Sequence, residues 1–376
     1  MNHFIKGADI SSLKEVETFG GKYFLDGKEK DLFDILKIKG MNLIRLRLWV
    51  DPYDENGQPY LGGTNDLVTT IELAARAKQA GLDFMLNLHY SDFWADPKKQ
   101  PKPKAWLNLT GQDLVEQVYR YTKETLKHFE RLDLMPAYIQ IGNETTNGMI
   151  FPDGKIAKYL FEDRKFEEID HEVQKAAFDY LVDLLSAGIK ATREMRSKEE
   201  LKIIIHLDFG GANDLYRGWF DQATERQLDY DIIGLSYYPY WHNSLADLSY
   251  NLKDIAKRYE KDVMVVETAY AFTDQQPEGE DSIFNAELSD IAGYPPTVEG
   301  QAAFLTDLIQ TVKDVHGLGV VYWEPAWLPV KGTSWASRIG MEYANDIGEP
   351  GNHWANQAMF DFNGHALKSL DVFLAD

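Results

Sequence analysis

Eight short runs of apolar and β-branched residues punctuate the chain, and stretches with apolar residues at helical spacing separate them. The runs are nearly continuous in apolar character, which is typical of parallel strands covered on both faces. The predicted strands span residues 7–11, 42–50, 83–90, 137–144, 202–209, 231–238, 263–270 and 319–327. The predicted helices span residues 29–39, 66–80, 112–131, 169–193, 213–228, 244–260 and 299–316. This alternation predicts an α/β protein with a parallel sheet.

The longest connections follow strands rather than helices. That is the arrangement of a (β/α)8 barrel, in which the loops after the strands build the site. No linker rich in glycine, serine or proline divides the sequence, and no internal repeat stands out. We therefore predict a single (β/α)8 TIM-barrel domain over residues 1–376. A doubly wound open sheet is the rival fold, but its Gly-rich first turn, GxGxxG, is absent.

Two carboxylates stand at the ends of predicted strands. They are Glu144 in YIQIGNETT and Glu267 in VMVVETAY, 123 positions apart. A β/α barrel brings the C-terminal ends of its strands to one face, so we expect the two side chains to meet there. A retaining glycosidase needs such a pair about 5–5.5 Å apart, one acid to protonate the leaving oxygen and one carboxylate to attack the anomeric carbon. Glu324 in VVYWEPAW is a third strand-end carboxylate and competes for either role.

Other polar and aromatic residues end or line the same strands. Asn143 precedes Glu144 and is placed to bond a sugar 2-hydroxyl. Arg45 and Arg47 share one face of a strand by alternation, and because an inward arginine must be paired, we expect one of them to be structural. The remaining candidates for orienting the nucleophile or tuning its pKa are His89, Tyr237 and Tyr238.

A metal site is the alternative interpretation of the histidines. His89 and His206 stand near strand ends with Asp208 close by, yet neither HExxH nor a close His-x-His pair occurs. Cysteine is absent, which excludes disulfides, thiolate nucleophiles and cysteine-ligated zinc. We therefore expect neither a metal ion nor a cofactor.

The acidic balance of the chain limits its partners. Of 376 residues, 39 are basic and 60 acidic, which gives a net charge of −21. This charge repels phosphate backbones and anionic lipid surfaces, so we expect neither nucleic acid nor a membrane as a partner. The N-terminal MNHFIKGADISS has neither the basic nor the apolar region of a signal peptide. The compartment stays open: cytoplasmic if this start is native, extracellular if a signal has been removed.

The runs HYSDFWADP, SYYPYWH and YWEPAW, with IRLRLWVDPYD and NQAMFDFNGHAL, occur in the order found in one family. The chain resembles glycoside hydrolase family 53, the endo-β-1,4-galactanases, over almost its whole length. By that resemblance Glu144 is the acid/base at strand four, Glu267 is the nucleophile at strand seven, and the substrate is β-1,4-galactan, a side chain of pectin. We expect further substrate contacts from Asp92, Trp94, His206, Trp241, Trp323 and Trp327.

The segment after strand seven departs from the family. Many bacterial members carry a calcium loop rich in Asp, Gly, His and Asn there, whereas this chain has TDQQPEGEDSIFNAELSDIAGYPP. Glu278, Glu280 and Asp281 are acidic, but the spacing typical of that calcium site is missing. We therefore expect activity and melting temperature to survive chelation. Because such loops bound the distal part of the cleft, the sequence leaves product length open.

The sequence as a whole predicts a retaining endo-β-1,4-galactanase that acts as a monomer on a polysaccharide. The alternative among enzymes is a β-mannanase or β-1,4-glucanase of the same clan. The pair of carboxyl groups determines the mechanism, whereas the loops determine which sugar is bound. The alternative outside enzymes is a non-catalytic galactan-binding barrel, which would lack one carboxylate. In the free enzyme we expect Glu267 to be ionised and Glu144 to be protonated, because the nearby negative charge raises the pKa of Glu144.

Overall fold

Eight parallel strands close into a barrel in the computed structural model, which describes residues 4–156, 171–277 and 281–375. The strands are β1 (Ile5–Asp9), β2 (Leu43–Leu48), β3 (Asp83–Leu88), β4 (Tyr138–Ile141), β5 (Lys202–Leu207), β6 (Ile232–Ser236), β7 (Asp262–Thr268) and β8 (Gly319–Trp323). Their order around the ring follows the chain, and β8 pairs with β1 from Gly319 and Ile5 to Trp323 and Asp9. The predicted (β/α)8 TIM barrel is confirmed.

Helices surround the barrel. They are α1 (Leu13–Thr18), α2 (Leu32–Ile38), α3 (Leu67–Gln79), α4 (Gly111–Arg131), α5 (His171–Met195), α6 (Asn213–Glu225), α7 (Leu245–Tyr259), α8 (Ala286–Ala292), α9 (Val298–Asp314) and α10 (Arg338–Ala344). The seven predicted helices correspond to α2–α7 and α9 to within a few residues, and positions 169 and 170 of one prediction lie outside the described residues. The sequence reading missed α1, α8 and α10, which are short and belong to loops. None of the described helices is long and apolar enough to cross a membrane.

Several predicted strands extend past the observed ends because the backbone turns left-handed there. Tyr90, Glu144, Phe209 and Glu324 have φ angles of 52°, 45°, 51° and 52°. A residue in this region cannot continue a strand, so the predicted strands 83–90, 137–144, 202–209 and 319–327 end early. Such conformations are costly for residues other than glycine and cluster where function requires them. The predicted strand 7–11 lies two residues earlier, at Ile5–Asp9.

The barrel interior changes from apolar to polar along its axis. An apolar layer is formed by Ile5, Leu43, Met85, Ile204, Ile232, Met264, Val266 and Val321. Nearer the C-terminal ends of the strands, the buried side chains are charged or polar: Asp9, Arg45, Arg47, Asn87, Gln140 and His206. Buried groups of this kind must be paired, so the polar layer forms a continuous network of ion pairs and hydrogen bonds beneath the barrel mouth.

A β-bulge in β7 sets the direction of Glu267. Leu235 of β6 pairs with Val265, but the next residue, Ser236, pairs with Glu267. Val266 belongs to the apolar interior, so strict alternation would turn its neighbour Glu267 outward. The extra residue resets the alternation and directs Glu267 towards the barrel mouth.

Candidate active site

Two cavities meet at the C-terminal face of the barrel. The first, here called the aromatic cavity, has a volume of about 610 Å³ and includes the side chains of Trp94, Trp323, Trp327, Trp335 and Trp354 in its wall. The second, here called the Trp241 cavity, has a volume of about 500 Å³ and is lined by Asp208, Phe209, Tyr238, Trp241 and His242, among others. Glu144 and Glu267 line both cavities. The two predicted carboxylates therefore lie where the cavities join.

Glu144 follows β4 in a left-handed conformation, with φ 45° and ψ 55°. Its Oε1 accepts a hydrogen bond of 2.6 Å from the hydroxyl of Ser236, at the end of β6. Burial raises the pKa of Glu144 well above its ordinary value, and the charges of Glu267 and then Asp208 raise it further. This carboxyl group therefore keeps its proton to a higher pH than an ordinary glutamate does.

Glu267 has two donors on its carboxylate. The Arg45 guanidinium lies 2.8 Å from Oε1, and the Tyr238 hydroxyl donates to Oε2 at 3.2 Å. Burial raises the pKa of Glu267, while the positive charge of Arg45 opposes that rise. Of the two coupled carboxyl groups, Glu144 therefore holds the first proton more tightly, and Glu267 is the better anion.

Both arginines of β2 are buried and paired. Arg45 lies 2.7 Å from Asp9 Oδ2 in addition to its contact with Glu267, and Arg47 lies 3.1 Å from Asp9 Oδ1. The Arg47 guanidinium also lies 4.6 Å from the ring centroid of Trp94 and lines the aromatic cavity. Each arginine thus supports a strand-end carboxylate, and Asp9 joins the two.

Glu324, the third strand-end carboxylate, is fully buried and lines neither cavity. Its Oε1 lies 2.6 Å from Arg47, and its Oε2 accepts from the Ser12 hydroxyl at 2.5 Å. Burial raises its pKa to about 7, although the positive charge of Arg47 lowers it. In this position Glu324 holds Arg47 and the start of α1 rather than facing the cleft.

Asn143 and His89 present polar groups to the aromatic cavity. The Asn143 amide nitrogen donates to the Ala95 carbonyl at 2.8 Å, which leaves its second N–H for a ligand. His89 Nδ1 accepts from the indole N–H of Trp49 at 3.1 Å, and His89 Nε2 lies 3.1 Å from the amide nitrogen of Asn87. Burial, then Arg47 and Arg45, lower the pKa of His89 well below its ordinary value, so the ring is neutral.

Four predicted site residues line neither cavity: Arg45, which lies beneath Glu267, and Asp92, His206 and Tyr237. Asp92 is buried and accepts from the backbone N–H of Lys104 at 2.7 Å, so it ties down the loop after β3. His206 is buried in the polar layer beneath Glu144. Tyr237 packs away from the cleft and donates to the Asn243 carbonyl at 2.9 Å. Because side chains alternate along a strand, Tyr237 and Tyr238 face opposite ways.

The structure adds residues that the sequence reading did not select. The Ser236 hydroxyl donates a hydrogen bond to Glu144. Ser236 lies at the C-terminal end of a strand, the same position that made Glu267 a candidate. Asp208 lines the Trp241 cavity with a pKa raised by burial to about 7. Trp354 lines both cavities from the long segment after β8. This segment has no regular pattern of apolar residues from which the direction of a side chain could be predicted.

No group of three or more potential metal ligands occurs in residues 4–156, 171–277 and 281–375. Of the acidic residues considered for calcium, Glu278 and Glu280 lie outside the described residues. The ring nitrogens of the histidines near the barrel mouth lie against neutral groups: those of His89 against Trp49 and Asn87, and those of His206 against Ser236, Asn143 and the backbone of Glu144.

Comparisons with known proteins agree over nearly the whole chain. The model of glycosyl hydrolase family 53 matches residues 5–373. The endo-β-1,4-galactanase of Bacillus subtilis is 36% identical, with 98% of this chain and 85% of that protein covered. The arabinogalactan endo-β-1,4-galactanase of Cellvibrio japonicus is 34% identical, with 99% and 91% covered. The solved GH53 catalytic domain of Ignisphaera aggregans is 40% identical with a TM-score of 0.88, and the comparison covers 98% of this chain and 95% of that chain.

Proposed function

The chain belongs to glycosyl hydrolase family 53, and on that premise we propose that this glycoside hydrolase cleaves internal β-1,4-galactosidic bonds of galactan with retention of configuration. One observation carries the proposal: Glu144 and Glu267 line both cavities, so a polysaccharide that runs from one cavity into the other passes the pair. The similarity to named galactanases supports galactan as the substrate, and the presence of a cavity on each side of the carboxyl pair supports cleavage within the chain.

The first step assigns different work to the two carboxyl groups. Glu144 gives its proton to the glycosidic oxygen while Glu267 attacks the anomeric carbon, which breaks the bond to the leaving sugar and forms a glycosyl ester. The surroundings of each group support its role. Burial and the charge of Glu267 keep the proton on Glu144, and Arg45 and Tyr238 stabilise the anion of Glu267 and fix its direction.

The second step reverses the role of Glu144. As a carboxylate it removes a proton from water, and the water oxygen attacks the anomeric carbon and displaces Glu267. Two inversions at the same carbon give net retention. Ester formation removes the negative charge of Glu267, so the pKa of Glu144 falls from its raised value, and the group is an acid before the first step and a base after it.

The two sides of the cleft offer different contacts. Arg47, His89 and Asn143 line the aromatic cavity but not the Trp241 cavity, so we assign the sugar under attack and its non-reducing neighbours to the aromatic cavity. Hydrogen bonds to the 2-hydroxyl that strengthen in the transition state belong on this side. On the other side, Trp241 is 41% exposed and offers its ring to the leaving chain.

The test is hydrolysis of potato galactan beside mannan, xylan, cellulose and arabinogalactan. We expect galactan to be preferred, with viscosity falling well before galactose accumulates. Release of galactose alone from the first minutes would exclude the endo mode, and a preference for mannan or cellulose would favour the alternative clan activities. A protein that binds galactan but releases no reducing ends would be the non-catalytic barrel.

The partners follow from charge and site. The net charge of −21 disfavours nucleic acid and anionic membranes, and the cleft takes an extended polysaccharide. We propose that the protein acts as a monomer, since both catalytic carboxyl groups and their partners come from one barrel. Light scattering coupled to size exclusion checks this, and activity confined to a dimer fraction would contradict it.

A further inference from the structure

A buried serine and a buried histidine follow one another behind Glu144. The Ser236 hydroxyl oxygen lies 2.6 Å from Glu144 Oε1 and 2.8 Å from His206 Nε2. Both side chains are fully buried, and neither lines a cavity. Within the part of the chain that the structure describes, no hydrogen bond engages Glu144 Oε2, the oxygen left for substrate.

The surroundings of His206 Nδ1 decide which ring nitrogen carries the proton. Nδ1 lies 3.2 Å from Asn143 Oδ1, an acceptor, and 3.4 Å from the backbone N–H of Glu144, a donor. Asn143 Oδ1 already accepts from Arg45 at 3.0 Å and from Asn87 at 2.8 Å, which uses both of its lone pairs. A proton on Nδ1 would be a third donor to that oxygen and would leave the Glu144 N–H without its acceptor. The proton therefore belongs on Nε2.

The position of this proton gives the chain of hydrogen bonds a direction. The Nε2–H of His206 donates to the Ser236 hydroxyl oxygen, so the Ser236 O–H must point at Glu144 Oε1. Because Glu144 Oε1 accepts the Ser236 O–H, a proton on Oε1 would point at that donor hydrogen, so Oε1 does not carry the acidic proton. Building on the proposed function, we propose that Ser236 and His206 are positioning residues that hold the acidic proton of Glu144 on Oε2, facing the substrate.

The arrangement serves both halves of the reaction. In the first step the proton on Oε2 passes to the glycosidic oxygen as the bond to the leaving sugar breaks, and the resulting carboxylate keeps the Ser236 hydrogen bond on Oε1. In the second step Oε2 takes a proton from the attacking water, which restores the starting state. Without the Ser236 donor the proton is shared between the two oxygens of Glu144, and only one of them reaches the substrate.

The charges with the largest effect on the pKa of Glu144 are negative, although Arg47, Lys98 and Lys99 line the same cavities. After burial, Glu267 and Asp208 raise the pKa of Glu144, Asp96 raises it further, and the Ser236 hydrogen bond lowers it. Asp208 is also titratable above its ordinary range, because burial raises its own pKa to about 7. A pH profile of the Ser236 variants therefore has to be repeated in an Asp208→Asn background.

His206 is surrounded by cationic or neutral groups. Burial lowers its pKa well below the ordinary value, and Arg45, His89 and His242 lower it further. The ring is therefore neutral at working pH and carries a single proton, which the hydrogen bonds from His206 through Ser236 to Glu144 require.

The experiment compares Ser236→Ala with Ser236→Thr, which restores the hydroxyl. On galactan, Ser236→Ala should reduce kcat/KM on the order of 10–100-fold. On 4-nitrophenyl β-1,4-galactobioside, whose leaving group needs no proton, the first step should change by less than about threefold. The basic limb of the pH profile should rise by about one pH unit, because a donor to the carboxylate is lost. Ser236→Thr should recover most of both effects.

Two results would overturn the inference: an equal loss on both substrates, or a basic limb that stays in place while melting temperature is unchanged. The nitrogen-15 shifts of His206 give a test without mutation, since the inference requires a protonated Nε2 and a bare Nδ1 and the opposite tautomer contradicts it. Failure of the proposed function is distinct, because the wild-type protein would then not cleave galactan at all.

Discussion

Glu267 lies near the end of β7 and Glu324 directly follows β8, the neighbouring strand. Each forms an ion pair with an arginine of β2, yet only Glu267 faces the cleft. Glu267 is 6% exposed and lines both cavities, whereas Glu324 is 0% exposed and lines neither. The difference comes from their second partners. Tyr238 approaches Glu267 from the cavity wall, while Ser12 at the start of α1 closes over Glu324. A strand-end carboxylate is thus reactive or structural according to what covers it.

The largest expected effect is the loss of the attacking group in Glu267→Ala. Turnover should fall on the order of 10⁵-fold on every substrate, because no other group can form the glycosyl ester. Azide should partly restore activity and give a product of the opposite anomeric configuration. Proton NMR of that product provides the measurement. Loss of less than about tenfold would place the nucleophile elsewhere and break the contrast with Glu324.

The loss of activity in Glu144→Ala should be the next largest, and its size should depend on the leaving group. On galactan the loss should be about 10²–10⁴-fold, the usual contribution of general acid/base help. An activated aryl galactobioside should keep a fast first step and a slow second step, visible as a burst of nitrophenol. Azide should rescue this variant with retained configuration. The same loss on both substrates and no burst would contradict the acid/base role.

Glu324→Ala should affect stability rather than chemistry. Removing this partner breaks the shorter of the two buried ion pairs of Arg47, which keeps only Asp9, and leaves the Ser12 hydroxyl without its acceptor. The loss should cost about 3–5 kcal/mol of unfolding free energy. The kcat of the folded variant should stay within about tenfold of the wild type. Denaturant unfolding and steady-state kinetics on the same sample check both claims. A folded Glu324→Ala variant as inactive as Glu267→Ala would remove the distinction between the two strand ends.

The region around Glu324 should also give stability a pH dependence, through Glu15 on α1. This buried carboxyl accepts from the backbone N–H groups of Gly63 and Ser334 at 2.8 and 3.0 Å, and burial raises its pKa from 4.5 to about 7. The folded state therefore holds the proton more tightly than the unfolded chain. The stability that this provides is full below pH 4.5 and is lost as pH rises through 7, by about 3 kcal/mol.

Glu15→Gln should flatten that decline in the free energy of unfolding between about pH 4.5 and 7. The matched control is Glu29→Gln in the antiparallel pair formed by Tyr23–Leu25 and Lys28–Lys30, where the side chain lies at the surface and the pH dependence should stay that of the wild type. Urea unfolding at several pH values measures both variants. A decline that is as steep in Glu15→Gln as in the wild type would show that Glu15 does not hold the proton.

The sequence could predict the barrel and the meeting of Glu144 and Glu267 at its mouth because both depend on local pattern. Apolar runs indicate the strands, and the barrel brings residues at strand ends together. The pattern could not separate Glu267 from Glu324, because the separation depends on the cover that Ser12 provides. It also could not show that Tyr237 faces away, since a one-residue shift of register reverses every side chain.

Loops limited the prediction of the wider site. Asp92 lies just after a strand, which made it a candidate, but its carboxylate accepts a hydrogen bond from the backbone N–H of Lys104. That bond joins two parts of the same loop. Trp354 reaches both cavities from a segment without periodicity. Short helices such as α8 and α10 depend on tertiary contacts more than on their own sequence, so neither was predicted.

The most direct test of the central claim is to trap the glycosyl ester and locate it. An activated 2-deoxy-2-fluoro galactobioside slows the second step, and peptide mass spectrometry of the inactivated protein identifies the labelled residue. The account predicts a single label, on Glu267, with none in Glu267→Ala. A label on Glu324 or Glu144, or no label together with an inverted first product, would contradict it.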